Sequence, residues 1–402
     1  MRAEIIFTRG REYFMKIHTL CDGETLSSVA EKYGISEHTL RTNNSLTDRE
    51  APLGTQLLIL TPTRTYTVKR GDTPERLILR FGITGRDLYA QNPSICERGL
   101  PVGEEIALKY DGASYGLGAT NGYYYKGCSV SALKRSLPYL TYVTFASAIE
   151  ENGEIYKYFD DTEAKLCAIE NSKIPLLRIY RRNIAAPKGD AMRELCDRII
   201  NAALSGNYRG IVLSGCDSEG YDAFLVELRG KMIGCDLILI TEINEDSTAS
   251  INEYSDGSVL SYDKYAMDEI PSFDEGERRI YSDFACFAES AKTFISLPSM
   301  AKWGRGYCSI SDALSTASQY GCKIETNEET LISSFRSERR GDFQFTSLKN
   351  IKATLDLIFE YGFMGISFDI MRAPISHLLM YNHLFRTAHS TSVRAAEGCS
   401  KR

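Results

Sequence analysis

The chain has 402 residues, of which 43% are hydrophobic and 25% charged, the balance of a soluble globular protein longer than one ordinary domain. Its formal net charge of −6 argues against nucleic acid as the main partner, because phosphate binding needs clustered Lys and Arg, and leaves a neutral glycan compatible. No run of about 18 apolar residues occurs, so no membrane span is expected, and residues 1–11 lack the apolar core of a secretory signal.

The eleven Cys are scattered and form no C-x-x-C pair, so they read as buried thiols of a protein made in a reducing compartment. No disulfide framework, zinc site or other cofactor is expected. His377 and His383 are too isolated a pair for a metal claim. Tyr is abundant (24) and Trp nearly absent (1), which bears on sugar binding because sugar sites usually offer an aromatic face.

Two N-terminal segments repeat. Residues 17–35 and 66–83 share a polar strand, a Gly-containing turn and an aromatic-Gly-Ile ending, followed by Leu40 and Leu88 and then Asn44 and Asn92. Thr25 and Thr73 stand where helix N-caps belong, and Gly34 and Gly82 where the helices stop. Each repeat closes with a turn and a short strand, giving strand, helix, helix, strand. These segments resemble LysM domains, with modules over 15–60 and 64–110. The resemblance implies binding of N-acetylglucosamine chains, either peptidoglycan or chitin, in a groove between two loops. In the first module that groove is Asp22, Gly23, Glu24, Thr25 and Leu26 with Asn44, Ser45 and Leu46. In the second it is Gly71, Asp72, Thr73 and Pro74 with Asn92, Pro93, Ser94 and Ile95. Pro74 replaces the Leu usual in that turn. Two modules on one polymer would gain affinity through effective concentration.

Beyond residue 115, β-like runs alternate with helical ones. Strands are expected at 116–124, 139–145, 176–180, 210–214, 236–241, 258–262, 293–297 and 365–369, with helices at 191–204, 222–230, 309–320 and 347–361 among them. Eight such units predict an α/β fold, a (β/α)8 TIM barrel over 115–388, with reacting groups at strand C-termini. Residues 136–154, 259–263, 295–298 and 347–370 resemble, in order, strands of family 18 glycoside hydrolases. The similar branch carries N-terminal LysM modules and acts on spore cortex or cell wall, which implies deposition in a spore or wall layer.

That family carries Asp-Gly-x-x-x-Asp-x-Glu on its fourth strand, where the Glu is the general acid and the Asp orients the substrate acetamide. Here Arg209-Gly210 replaces Asp-Gly, Ser214 stands at the Asp and Cys216 at the Glu. Neither side chain can protonate a glycosidic oxygen as a carboxylic acid of raised pKa can. Asp369 takes the place of the family's eighth-strand Trp. Tyr262 and Asp263, which the resemblance assigns to acetamide contact, survive. The expectation is therefore a glycan-binding protein whose barrel has lost hydrolysis. A second reading keeps catalysis by shifting Asp217 and Glu219 into place, with Glu219 as displaced acid. Strand alternation speaks against it, since Val212, Ser214 and Cys216 share one parity and Asp217 and Glu219 the other. Glu242, after strand five, is another displaced-acid candidate, although such a residue more often pairs with an Arg or Lys. A third reading is a spore-layer protein scaffold.

Overall fold

The structure, a computed structural model, describes residues 15–46, 50–110, 115–182, 185–216, 220–244, 254–262, 272–287 and 289–387. They fall into two compact units. One gathers Met1–Gly116, Met300–Lys352 and Pro374–Arg386 as far as these are described, and the other Leu117–Ser299, Ala353–Ala373 and Thr387–Arg402.

The first unit begins with the two repeats. In the first, β1 (Met15–Thr19) pairs antiparallel with β2 (Gln56–Leu60) around α1 (Leu26–Tyr33) and α2 (Glu37–Asn43). Thr25 caps α1 reciprocally: its hydroxyl accepts from the Ser28 amide at 3.1 Å while Ser28 Oγ accepts from the Thr25 amide at 2.9 Å. The apolar residues Leu26, Val29, Leu40, Leu57 and Ile59 close into a core of their own. The second repeat follows the same plan with β3 (Arg64–Thr67), α3 (Pro74–Phe81), α4 (Gly85–Gln91), α5 (Ile95–Arg98) and β4 (Glu105–Lys109) around Leu77, Leu88, Ile95 and Ile106. Its short α5 is an addition to the expected order of strand, helix, helix, strand.

The second unit is the barrel. In chain order it has β5 (Gly116–Tyr124), α6 (Val130–Ser136), β6 (Tyr142–Glu151), its antiparallel partner β7 (Glu154–Lys157), α7 (Thr162–Glu170), β8 (Ile174–Arg181), α8 (Gly189–Ser205) and β9 (Gly210–Ser214). Next come α9 (Asp222–Ile233), β10 (Ile238–Asn244), β11 (Gly257–Ser261), α10 (Arg279–Phe287) and β12 (Thr293–Ser296). The eighth strand, Gly365–Asp369, comes from near the end of the chain. All eight pair in parallel, and the pairing of β5 with β6 closes the ring. The lumen is filled from every quarter by Ala119, Tyr142, Leu176, Val212, Ile240, Val259 and Phe294. Complete burial of one such side chain contributes about 1.5–3 kcal/mol, which is why these short β-branched runs read as strands at all.

Between β12 and the eighth strand the chain departs from the barrel pattern. Residues 300–346 form a five-stranded antiparallel sheet within the first unit: β13 (Met300–Trp303), β14 (Gly306–Ser309), β15 (Glu325–Thr326), β16 (Ile332–Ser337) and β17 (Gly341–Thr346). The helix α11 (Ile310–Gln319) covers it through Ile310, Ala313 and Ala317 against Phe335 and Phe345. The expected barrel over 115–388 includes this segment and places its helix in a βα unit, whereas the strands here pair antiparallel in a sheet of their own. Hydrophobic period identifies strand or helix, but it does not say whether a strand will pair parallel or antiparallel. Then follow α12 (Leu348–Glu360), the eighth barrel strand, here β18, and α13 (Ile375–Leu384).

Candidate carbohydrate sites

At the C-terminal ends of the barrel strands, the neighbours β8, β9 and β10 converge with β5 on one cluster. Arg178 from β8 reaches Glu242 from β10 with two parallel bonds, Nε to Oε1 at 2.6 Å and Nη2 to Oε2 at 2.8 Å. The same Nη2 donates to Ser214 Oγ from β9 at 2.9 Å. Tyr123 from β5 donates its hydroxyl to Glu242 Oε1 at 2.7 Å and stacks on Tyr125 with ring centroids 5.8 Å apart. The Arg178 and Glu242 side chains are only 19% and 20% exposed. Burial alone would raise the Glu242 pKa, but the Arg178 charge and the donated hydrogen bonds outweigh it and hold the carboxyl below its ordinary value. The glutamate is thus an ionised acceptor, the opposite of what a general acid must be.

Ser214 is therefore occupied as a hydrogen-bond partner of Arg178. Cys216 does not share its side of the strand. β9 ends at Ser214, and Gly215 takes a left-handed conformation with φ of 76°. An added Cβ there would stand 2.8 Å from the Arg181 carbonyl. The turn leaves Cys216 buried beside Arg181 and Tyr221. Arg181 lies three residues beyond Arg178, hence of opposite parity, and forms its own buried pair with Glu150 at 3.0 Å. The alternation assumed for Ser214 and Cys216, and with it the parity argument against Glu219, is corrected by that single glycine. Asp217, Glu219 and Asp263 lie outside the described residues. Tyr262 directly follows β11 and is half-buried.

Asp369 is spent on its own turn. It accepts from the amides of Met371 and Arg372 at 2.9 and 3.1 Å and pairs with Arg372 Nη1 at 2.9 Å. Trp303 belongs to the antiparallel sheet, where it stacks on Phe343 and donates Nε1–H to the Arg340 carbonyl at 2.5 Å. Arg178 went unnoticed in the sequence. The signal was a cation interrupting the apolar run 174–179, with Glu242 two strands away as a carboxylate in need of a partner.

In the repeats, several residues assigned to the grooves turn out to hold the fold. Asn44 donates to the carbonyls of Leu40 and Leu58 at 2.8 and 3.0 Å and accepts from the Leu58 amide at 2.6 Å. Asn92 makes the same clamp on Leu88 and Ala107. Thr25 and Thr73 are helix caps, Pro74 is the first residue of α3, and Leu26 and Ile95 are core. Pro93 is also buried. Glu24 accepts from the Cys21 amide, His18 and Lys32, and these bonds, the amide first, bring its pKa down to about 2. Asp72 likewise accepts from the Lys69 amide at 2.7 Å and from Tyr66 at 2.9 Å, which lowers its pKa. Asp22, Gly23, Gly71, Ser45, Leu46 and Ser94 remain on or near the loop surfaces.

No disulfide joins the ten described cysteines, and no cluster of three or more His, Cys, Asp or Glu with metal-holding geometry occurs among the described residues. No described helix is long and apolar enough to cross a membrane.

Comparison with known proteins agrees with this division. The LysM domain family matches residues 18–59 and 66–109. The spore cortex-lytic enzyme SleL of Bacillus megaterium superposes with a TM-score of 0.71 at 18% identity, covering 94% of this chain and 99% of that one. SleL of Bacillus cereus gives 0.72 at 17% identity, covering 94% and 100%. A chitinase of Chromobacterium violaceum gives 0.58 at 14% identity over 66% of this chain and 98% of its own. In sequence, 236 residues are 23% identical to YdhD of Bacillus subtilis, named for a sporulation-specific glycosylase. That match takes in 54% of this chain and spans about half of the relative's length (56%). The chain carries two LysM domains and an α/β barrel with the fold of the cortex-lytic enzymes and chitinases.

Proposed function

We propose that the protein binds peptidoglycan or another N-acetylglucosamine polymer through its LysM domains, in a spore or cell-wall layer, and that its barrel no longer hydrolyses glycans. The observation that carries the second half is the Arg178 guanidinium lying between Ser214 and Glu242. It fills the strand-four position with a fixed cation and keeps the neighbouring carboxylate ionised. The relatives named for cortex lysis or for chitinase activity support the glycan class. The test has two arms on the full-length chain. Retention on insoluble peptidoglycan is expected, and failure to bind any N-acetylglucosamine polymer would remove the first half. No release of reducing ends from cortex fragments is expected.

One observation favours a second reading, an active N-acetylglucosaminidase with Glu219 as displaced acid. Because Gly215 reverses the strand-end geometry, side-chain alternation no longer separates residue 219 from the barrel mouth. Hydrolysis that disappears in Glu219→Gln would establish this reading over the first.

A further inference from the structure

Within the first unit lies a small pocket, partly open to solvent. Its wall is built from the Asn44–Leu46 loop of the first LysM domain, from α11 and β17 of the antiparallel sheet, and from the start of α13. The loop is fixed there. Ser45 Oγ accepts from the Ile375 amide at 3.1 Å, and the Leu53 carbonyl accepts from the Ile324 amide at 2.8 Å. Gln56 donates to Thr326 at 3.2 Å and accepts from the Lys349 amide at 3.0 Å. Gly54, with φ of 81°, presses against the Ile324 carbonyl so closely that no Cβ would fit. Part of the groove assigned to this module is therefore shared with the antiparallel sheet.

Two features of the pocket indicate what it takes. No Asp, Glu, Lys or Arg lines it, and its one histidine, His377, is held neutral because burial pushes its pKa down to about 3. Two residues of its wall, Thr346 and His377, each carry a buried polar atom, Oγ1 and Nδ1, with no hydrogen-bond partner, and both residues are only 3% exposed. A buried polar atom is costly unless something bonds it, and here the two residues that carry one line the same pocket as the apolar Leu46, Leu314 and Phe345.

We infer that this pocket is a composite subsite for one neutral N-acylated sugar unit, with the acyl methyl against Leu314 and Phe345 and the amide bonded by Thr346 and His377. The inference rests on the glycan-binding reading above. A sugar bearing a lactyl carboxylate is disfavoured, because the pocket offers no cation to compensate its desolvation.

The test uses the full-length chain, calorimetry with an N-acetylglucosamine tetrasaccharide, and nitrogen NMR of the His377 imidazole. Leu314→Trp, which fills the space, is expected to weaken binding by roughly tenfold or more, equivalent to about 1.4 kcal/mol. Thr346→Val, which keeps the shape and removes the hydroxyl, is expected to weaken it several-fold. The His377 resonances are expected to shift with the tetrasaccharide and not with N-acetylmuramic acid. Equal binding by wild type and both variants, with His377 unmoved, overturns the subsite while leaving glycan binding intact. No binding by the wild type to tetrasaccharide or to wall overturns both. Should Leu314→Trp fail to fold, Thr346→Val and the His377 signal decide.

Discussion

Arg178 and Glu242 meet across the intervening strand β9 in a two-point ion pair at 2.6 and 2.8 Å, with Ser214 bonded to the same guanidinium. A planar fork matching a carboxylate is the geometry in which such pairs are strongest. It also means that each partner is stranded when the other is removed. Arg178→Met is expected to destabilise the protein by about 2–4 kcal/mol, toward the lower part of the cost of breaking a buried pair because one-fifth of each side chain is exposed. The double variant Arg178→Met with Glu242→Leu is expected to recover much of that loss. Urea unfolding of the barrel checks both, and a double variant no better than the single one would contradict the pairing.

The same pair sets a pH dependence. The Glu242 pKa is lowered in the folded protein, burial being outweighed by Arg178. The unfolded state therefore takes up the proton first, near an ordinary glutamate value of about 4.3. The stabilisation is present in full above that pH and is lost as pH falls through the lower folded value. Unfolding free energies of wild type and Glu242→Gln are expected to differ at pH 7 and to converge below about pH 4. A constant difference down to pH 2.5 would sink the assignment.

Asn44 and Asn92 are expected to act on stability. Replacing Asn44 by Ala removes three bonds and leaves the buried Leu58 amide without its partner, costing about 1–3 kcal/mol. Asn92→Ala should behave alike through the Ala107 amide. Amide hydrogen exchange in the full chain is expected to speed up in β2 for the first variant and in β4 for the second. Glycan affinity lost with no change in exchange would instead place these side chains in contact with sugar.

Placing at 214 and 216 the acids of the family that the barrel resembles is expected not to produce hydrolysis. In Ser214→Asp combined with Cys216→Glu, the new aspartate would meet Arg178, and the new glutamate would stand beside Arg181 because Gly215 turns the chain. Reducing-end assays on cortex fragments are expected to stay at background. Measurable turnover would show that residue 216 does reach the barrel mouth.

Local signals made much of this legible. Thr25 and Thr73 before helices and Gly34 and Gly82 after them fix the repeats, because capping chemistry depends on neighbours along the chain. The apolar runs such as Ile211–Leu213 mark barrel strands for a similar reason: a strand buried on both faces has to be apolar throughout. Their order then gives the barrel, and the absence of a carboxylate at Ser214 and Cys216 can be read directly from residue identity.

The tertiary structure alone decided what those positions do. Arg178 and Glu242 are 64 residues apart in sequence, and only barrel closure makes them neighbours. Asn44 belongs to the groove that the LysM resemblance implies, and a polar side chain beside a loop has the same signature in sequence whether it faces a sugar or clamps its own backbone. Residues 300–346 carry no sequence mark that separates them from the barrel, because periodicity reports which side of an element is buried, not which sheet it joins. Sequence carries local conformational preference and chemical identity, whereas pairing across long chain separations, and the environment that sets each group's charge, exist only once the chain has folded.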